Sequence, residues 1–116
     1  MISLTDQPFE PGALLTAFSQ GRDETGAIAT FTGLARAERG ATTTLELEAY
    51  PGFTEAAIGK IASEAKARFA LDDFQIVHRV GAIAPGEPIV FVATADTHRR
   101  AAFEACDVLM DYLKSR

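Results

Sequence analysis

Ile89-Val90-Phe91-Val92-Ala93-Thr94-Ala95-Asp96-Thr97-His98-Arg99-Arg100 holds the longest strongly apolar run in the chain and the polar turn that ends it. Ile89 to Ala93 is continuous rather than alternating, β-branched and aromatic, and short. That pattern predicts a strand buried on both faces, at the centre of a sheet. Asp96 or Thr97 can then cap a helix whose apolar side is Ala102, Phe103, Cys106, Leu109, Met110 and Leu113. A strand that needs cover on both faces, followed at once by an amphipathic helix, fixes the layer plan: a sheet with helices packed on it.

Working outward, Pro85-Gly86-Glu87 is a turn before the central strand, and Phe74 to Val80 reads as the strand preceding that turn. Upstream, Thr54 can cap a helix with Glu55 in its first turn and Ile58, Ile61, Ala62, Ala65 and Phe69 at helical spacing. Thr43 to Tyr50 alternates, with Leu45, Leu47 and Ala49 expected to face a core. Ala27 to Leu34 is a further strand, bounded by Gly26 and the Arg36 to Gly40 turn region. Pro11 to Gln20, ended by Gly21, suits a short helix with Leu14, Leu15 and Phe18 on one side. The predicted fold class is α+β, a mostly antiparallel sheet covered by helices, formed by residues 1–116 as one domain.

The chain has 116 residues, 47% of them hydrophobic, enough to bury about 65% of the unfolded surface without disulfides or a structural metal. Its single cysteine excludes a disulfide framework and a Cys-rich zinc module. No basic start followed by an apolar run opens the sequence, and no stretch approaches the roughly 20 residues of a membrane helix, so a cytoplasmic setting is expected. A net charge of −5 argues against nucleic-acid or anionic-membrane binding driven by overall charge. The acidic excess lies wholly in residues 1–75; residues 76–116 hold equal numbers of acids and bases.

No GxGxxG, Walker loop, HExxH or GxSxG is present, and the reading requires neither metal nor cofactor. Cys106, on the apolar side of the last helix, reads as a small buried hydrophobe. His78-Arg79 lies within a strand, which sends the two side chains to opposite faces. Thr97-His98-Arg99-Arg100 is the strongest candidate. It opens a helix, where free N–H groups already favour an anion, and basic side chains there oppose the helix dipole. Phosphate binding is one reason for such an arrangement; a solvated turn whose arginines pair with nearby acids is the other. Arg36 and Arg39 flank a turn, and Lys114 fits the dipole of a last helical turn without any functional role.

Four collinear blocks resemble the large, catalytic subunit family of molybdopterin synthase. They are Gly26-Ala27-Ile28-Ala29-Thr30-Phe31-Thr32-Gly33-Leu34-Ala35-Arg36, then Leu45-Glu46-Leu47-Glu48-Ala49-Tyr50-Pro51-Gly52-Phe53-Thr54, then Val77-His78-Arg79-Val80-Gly81 with Pro85-Gly86-Glu87. The last runs from Thr97-His98-Arg99-Arg100-Ala101-Ala102-Phe103-Glu104-Ala105 to Met110-Asp111-Tyr112-Leu113-Lys114. The resemblance implies an α/β-hammerhead fold and a homodimer within a heterotetramer, bound to two small ubiquitin-like sulfur-carrier subunits. It implies transfer of sulfur from the carrier's C-terminal thiocarboxylate to cyclic pyranopterin monophosphate, giving the molybdopterin dithiolene. Carried over residue by residue, it implies substrate binding by Leu34, Ala35, Arg36, His98, Arg99 and Lys114, catalysis by Lys114 as a general acid/base, and a pocket wall at Phe31. The family continues past its Leu-Lys pair with a second active-site lysine, whereas this sequence stops at Lys114-Ser115-Arg116. Two alternatives follow: a longer protein whose tail is mobile, which is the expectation taken, or a short homologue that binds the pterin phosphate or the carrier without catalysis.

Overall fold

A computed structural model describes residues 2–36, 45–47 and 55–114. The elements run β1 (Ile2–Thr5), α1 (Pro11–Ser19), β2 (Ala27–Leu34), β3 (Leu45–Leu47), α2 (Glu55–Phe69), β4 (Asp73–Arg79), β5 (Gly81–Ile83), β6 (Pro88–Asp96) and α3 (Arg99–Lys114). Four strands form one sheet in the order β1-β4-β6-β2, and β3 pairs with β5 in a second, two-stranded sheet. All pairings are antiparallel except β1 with β4.

The continuous apolar run is β6, flanked by β4 and β2, and its two faces feed two separate cores. Val90 and Val92 pack with Ile58, Ala62 and Ala65 of α2 and with Ala102, Cys106, Leu109 and Met110 of α3. Phe91, Ala93 and Ala95 turn the other way, onto Phe18 of α1 and Val77. Each large apolar side chain buried this way contributes about 1.5–3 kcal/mol. Thr94 is fully buried among them, and its hydroxyl donates to the Ala102 carbonyl at 2.7 Å, which removes the penalty of an unpaired polar atom and fixes α3 to the strand.

Most expected elements are present with ends shifted by a residue or so; β6 runs three residues past the expected Ala93, so that Asp96, expected as a helix cap with Thr97 as the alternative, ends the strand and α3 begins only at Arg99. Thr54, the flanks of the expected 43–50 strand and the facing of Leu45, Leu47 and Ala49 lie outside the described residues. Phe103 requires a correction. Expected on the apolar side of α3, it is 66% exposed, because the buried stripe runs through Ala102, Ala105, Cys106, Leu109 and Met110 and leaves Phe103 at its margin. Leu15, expected on one side of α1 with Leu14 and Phe18, is likewise exposed, while Phe18 is buried. β1 and β5 were not foreseen. β1 is four residues long and half-buried throughout, so its register (Ile2 opposite Ile76, Thr5 opposite Arg79) is set by its partner rather than by its own pattern.

Candidate functional site

The turn from β6 into α3 is built backwards from Asp96. Its side chain is 5% exposed, and Oδ1 accepts the His98 backbone N–H at 2.9 Å, while the His98 carbonyl accepts the Ala102 N–H and opens the helix. Gly26, whose N–H donates to the Asp96 carbonyl, lies so close that a Cβ would be driven into the Thr97 carbonyl oxygen; only glycine fits there. The resulting shape is an open groove of about 550 Å³ lined by His98, Arg99, Arg100, Phe103 and Glu104. The first turn of α3 contains no acid, and none of the three basic residues forms an ion pair among the described residues. Ion pairing among the described residues therefore does not account for them, although Asp96 and Glu104 are close by, and a helix N-terminus carrying two arginines is suited to an anion.

The second cationic position lies at the far end of β2. There the β2–β6 register shifts between Gly33 and Leu34, a bulge that Gly33 permits, since a Cβ would sit 2.7 Å from Val90 Cγ1. Ala35, 4% exposed, then leaves the sheet edge held by two backbone bonds: its N–H donates to the Glu87 carbonyl at 2.8 Å and its carbonyl accepts from Gly86 at 2.7 Å. Arg36 follows, exposed and without an ion pair among the described residues. Leu34 beside it is 55% exposed. Arg39 lies outside the described residues.

A single chain does not bring these positions together. β2 runs antiparallel to β6, placing Ala27 opposite Asp96 and Leu34 opposite Pro88. The 16-residue α3 returns alongside β2, so Arg99 and Lys114 at its two ends are about 22 Å apart. Lys114 ends the helix at the Leu34 to Arg36 end; His98 and Arg99 occupy the other. Between the two lies a groove of about 270 Å³ lined by Ala29, Thr30, Phe31, Phe103, Cys106, Asp107, Met110 and Asp111. Phe31, 37% exposed, stands midway along it.

Residues 4–116 match the family described as MoaE protein. A molybdopterin synthase catalytic subunit of Caulobacter vibrioides is 73% identical over 116 residues, which are 100% of this chain and 77% of that protein. The chain belongs to the MoaE family. Among solved structures, the molybdopterin biosynthesis MoaE protein of Burkholderia ambifaria superposes with a TM-score of 0.87 at 42% identity, over 98% of this chain and 76% of that one. A Helicobacter pylori protein solved as the complex of subunits 1 and 2 of molybdopterin-converting factor shares the fold, with a TM-score of 0.81 at 18% identity over 97% and 77% of the two chains.

For a MoaE-family chain, the buried groups outside these positions matter as much as the exposed ones. Cys106 is 6% exposed, and burial, with a smaller contribution from Asp107, pushes its thiol up to about 11. At pH 8 roughly one molecule in a thousand then carries the thiolate, so iodoacetamide is expected to label native protein far more slowly than unfolded protein. Equal labelling rates, followed by mass spectrometry, would contradict this. His78 and Arg79 do part to opposite faces. His78 is half-buried, held below the usual histidine range by burial, with Nδ1 2.7 Å from the Arg79 carbonyl. Arg79 is 4% exposed, a burial that the dipeptide alone does not announce. Among the described residues no group of three or more His, Cys, Asp or Glu is placed to hold a metal, and no helix is long and apolar enough to cross a membrane.

Proposed function

We propose that this chain is the sulfur-transferring catalytic subunit of a molybdopterin synthase, working in the cytoplasm as a homodimer that binds two small ubiquitin-like sulfur carriers. Each carrier presents a C-terminal thiocarboxylate, and the acceptor is cyclic pyranopterin monophosphate, which gains two sulfurs and becomes the dithiolene. The incoming sulfur belongs to the carrier, so the chain needs no cysteine nucleophile, in keeping with the buried, protonated Cys106. Its own work is to bind and orient a phosphate-bearing substrate and to move protons. Arg36, His98 and Arg99 bind the phosphate through charge-assisted hydrogen bonds. Lys114 is the general acid/base. Leu34 and Ala35 frame Arg36, and Phe31 forms a wall.

The observation that carries this reading is the division of basic residues between the two ends of one helix. About 22 Å is too far for one small pterin to span. A two-fold axis near the middle of the β2 and α3 face resolves it. Antiparallel apposition of two copies sets Arg36 and Lys114 of one against His98 and Arg99 of the other, twice. The same face exposes Phe31, Leu34 and Phe103, apolar surface that a second copy would cover.

Purified protein mixed with thiocarboxylated carrier and cyclic pyranopterin monophosphate is expected to form the dithiolene product. Binding of the pterin without product would instead identify a non-catalytic homologue and overturn the sulfurtransferase reading.

A further inference from the structure

We infer that the pair formed by buried Arg79 and half-exposed Glu87 is a positioning device for Arg36, acting through the turn between β5 and β6. The inference rests on the reading of Arg36 as a substrate-binding residue. Arg79 ends β4 with its side chain 5% exposed; Nη1 is 3.4 Å from Glu87 Oε2, and Nη2 donates to the Ala82 carbonyl at 3.1 Å. Glu87 Oε1 accepts the Ala84 N–H at 2.7 Å, and the Glu87 N–H closes the turn on the Ala84 carbonyl at 3.1 Å. Gly86, at φ 90°, supplies the left-handed residue the turn requires. The two backbone groups that then emerge, the Glu87 carbonyl and the Gly86 N–H, are those that hold Ala35. An unbroken series of polar contacts thus joins a buried guanidinium to the residue before Arg36.

Stability is a poor reason for this arrangement. Arg79 Nε and Nη1 have no hydrogen-bond partner among the described residues, and removing a guanidinium from water with donors unused is costly. Even a fully buried ion pair is often matched in stability by apolar residues of the same volume, and Glu87, 35% exposed, is partly screened by solvent. What an apolar pair cannot supply is direction. Nη2 on the Ala82 carbonyl, the Nη1 contact with Glu87 Oε2 and Glu87 Oε1 on the Ala84 N–H together fix the orientation of the turn, whereas apolar side chains would only fill the space. Arg36 is exposed and has no side-chain partner among the described residues, so the position of its guanidinium depends on where the backbone at Ala35 leaves the sheet. A charge-assisted hydrogen bond from that guanidinium to a phosphate weakens steeply once its distance or angle is lost, which reduces binding rather than the chemical step.

The test is a double-mutant cycle in the complex with the sulfur carrier. Glu87→Gln keeps an oxygen for the Ala84 N–H and removes the charge that faces Arg79. It is expected to raise both the KM and the dissociation constant for cyclic pyranopterin monophosphate by about 10- to 100-fold with kcat little changed. Arg36→Ala should raise them similarly, and Glu87→Gln added to Arg36→Ala should add nothing, because the residue being positioned is gone. An unchanged KM in Glu87→Gln, or equal effects with and without Arg36, overturns the positioning role while leaving the site intact. An unchanged KM in Arg36→Ala instead removes the site reading, and this inference with it. Should Glu87→Gln fold poorly, Arg79→Lys, which keeps the charge but not the fork, enters the same cycle with the same expectations.

Discussion

Lys114→Ala is expected to slow dithiolene formation by about 10²- to 10⁴-fold, the range general acid–base catalysis supplies, with a much smaller change in pterin binding. The competing account of Lys114 is structural. It is the last residue of α3, a position where the helix dipole favours a basic residue by about 0.3–1 kcal/mol. Alanine removes both roles, so it cannot separate them alone, but Lys114→Arg can. Arginine keeps the positive charge and the dipole contact, yet its guanidinium does not release a proton in proteins. If Lys114 moves protons, the arginine variant recovers thermal stability and pterin affinity while product formation stays near the level of the alanine variant. If Lys114 only caps the helix or contacts phosphate, the arginine variant turns over at close to the parental rate, and the acid/base role is wrong.

The outcome of the sequence reading differs between elements for physical reasons. β6 was legible because an apolar run that short, bounded by a turn and a capped helix, has few other solutions; α2 was legible from the spacing of Ile58, Ala62 and Ala65. β1 and β5 were not, since three or four residues take their register from a partner strand rather than from an internal period. Phe103 misled because its position borders the buried stripe, and hydrophobicity alone does not locate such a margin. The separation of the cationic residues is a different matter. A helix capped by Asp96 or Thr97 and carrying Lys114 in its last turn already places its ends more than 20 Å apart by its rise per residue. Grouping His98, Arg99 and Lys114 by role passed over that distance. The Arg79–Glu87 contact, by contrast, depends on how a hairpin closes, and no local pattern announces it.

That distance yields the sharpest expectation for the oligomer. Take one chain carrying Lys114→Ala and a second carrying His98→Ala and Arg99→Ala. If each active site draws its two halves from different copies, both homodimers are inactive, because every site lacks one half. In the heterodimer the defects fall together. One site combines the intact His98 and Arg99 of the first chain with the intact Lys114 and Arg36 of the second, and the other site collects all three substitutions. Heterodimers purified through two different tags after co-expression should therefore work at about half the parental rate per dimer, having one intact site of two. A site confined to one chain gives the opposite result. Each chain would carry its own defect wherever it is paired, and the heterodimer would be as inactive as its parents. The contrast is between about half and almost nothing, large enough to survive modest losses in folding, which circular dichroism of each variant would reveal. Recovery would place the catalytic unit across the two-fold axis. Its absence would require the roughly 22 Å between the ends of α3 to be bridged within one chain, by residues other than those the structure describes.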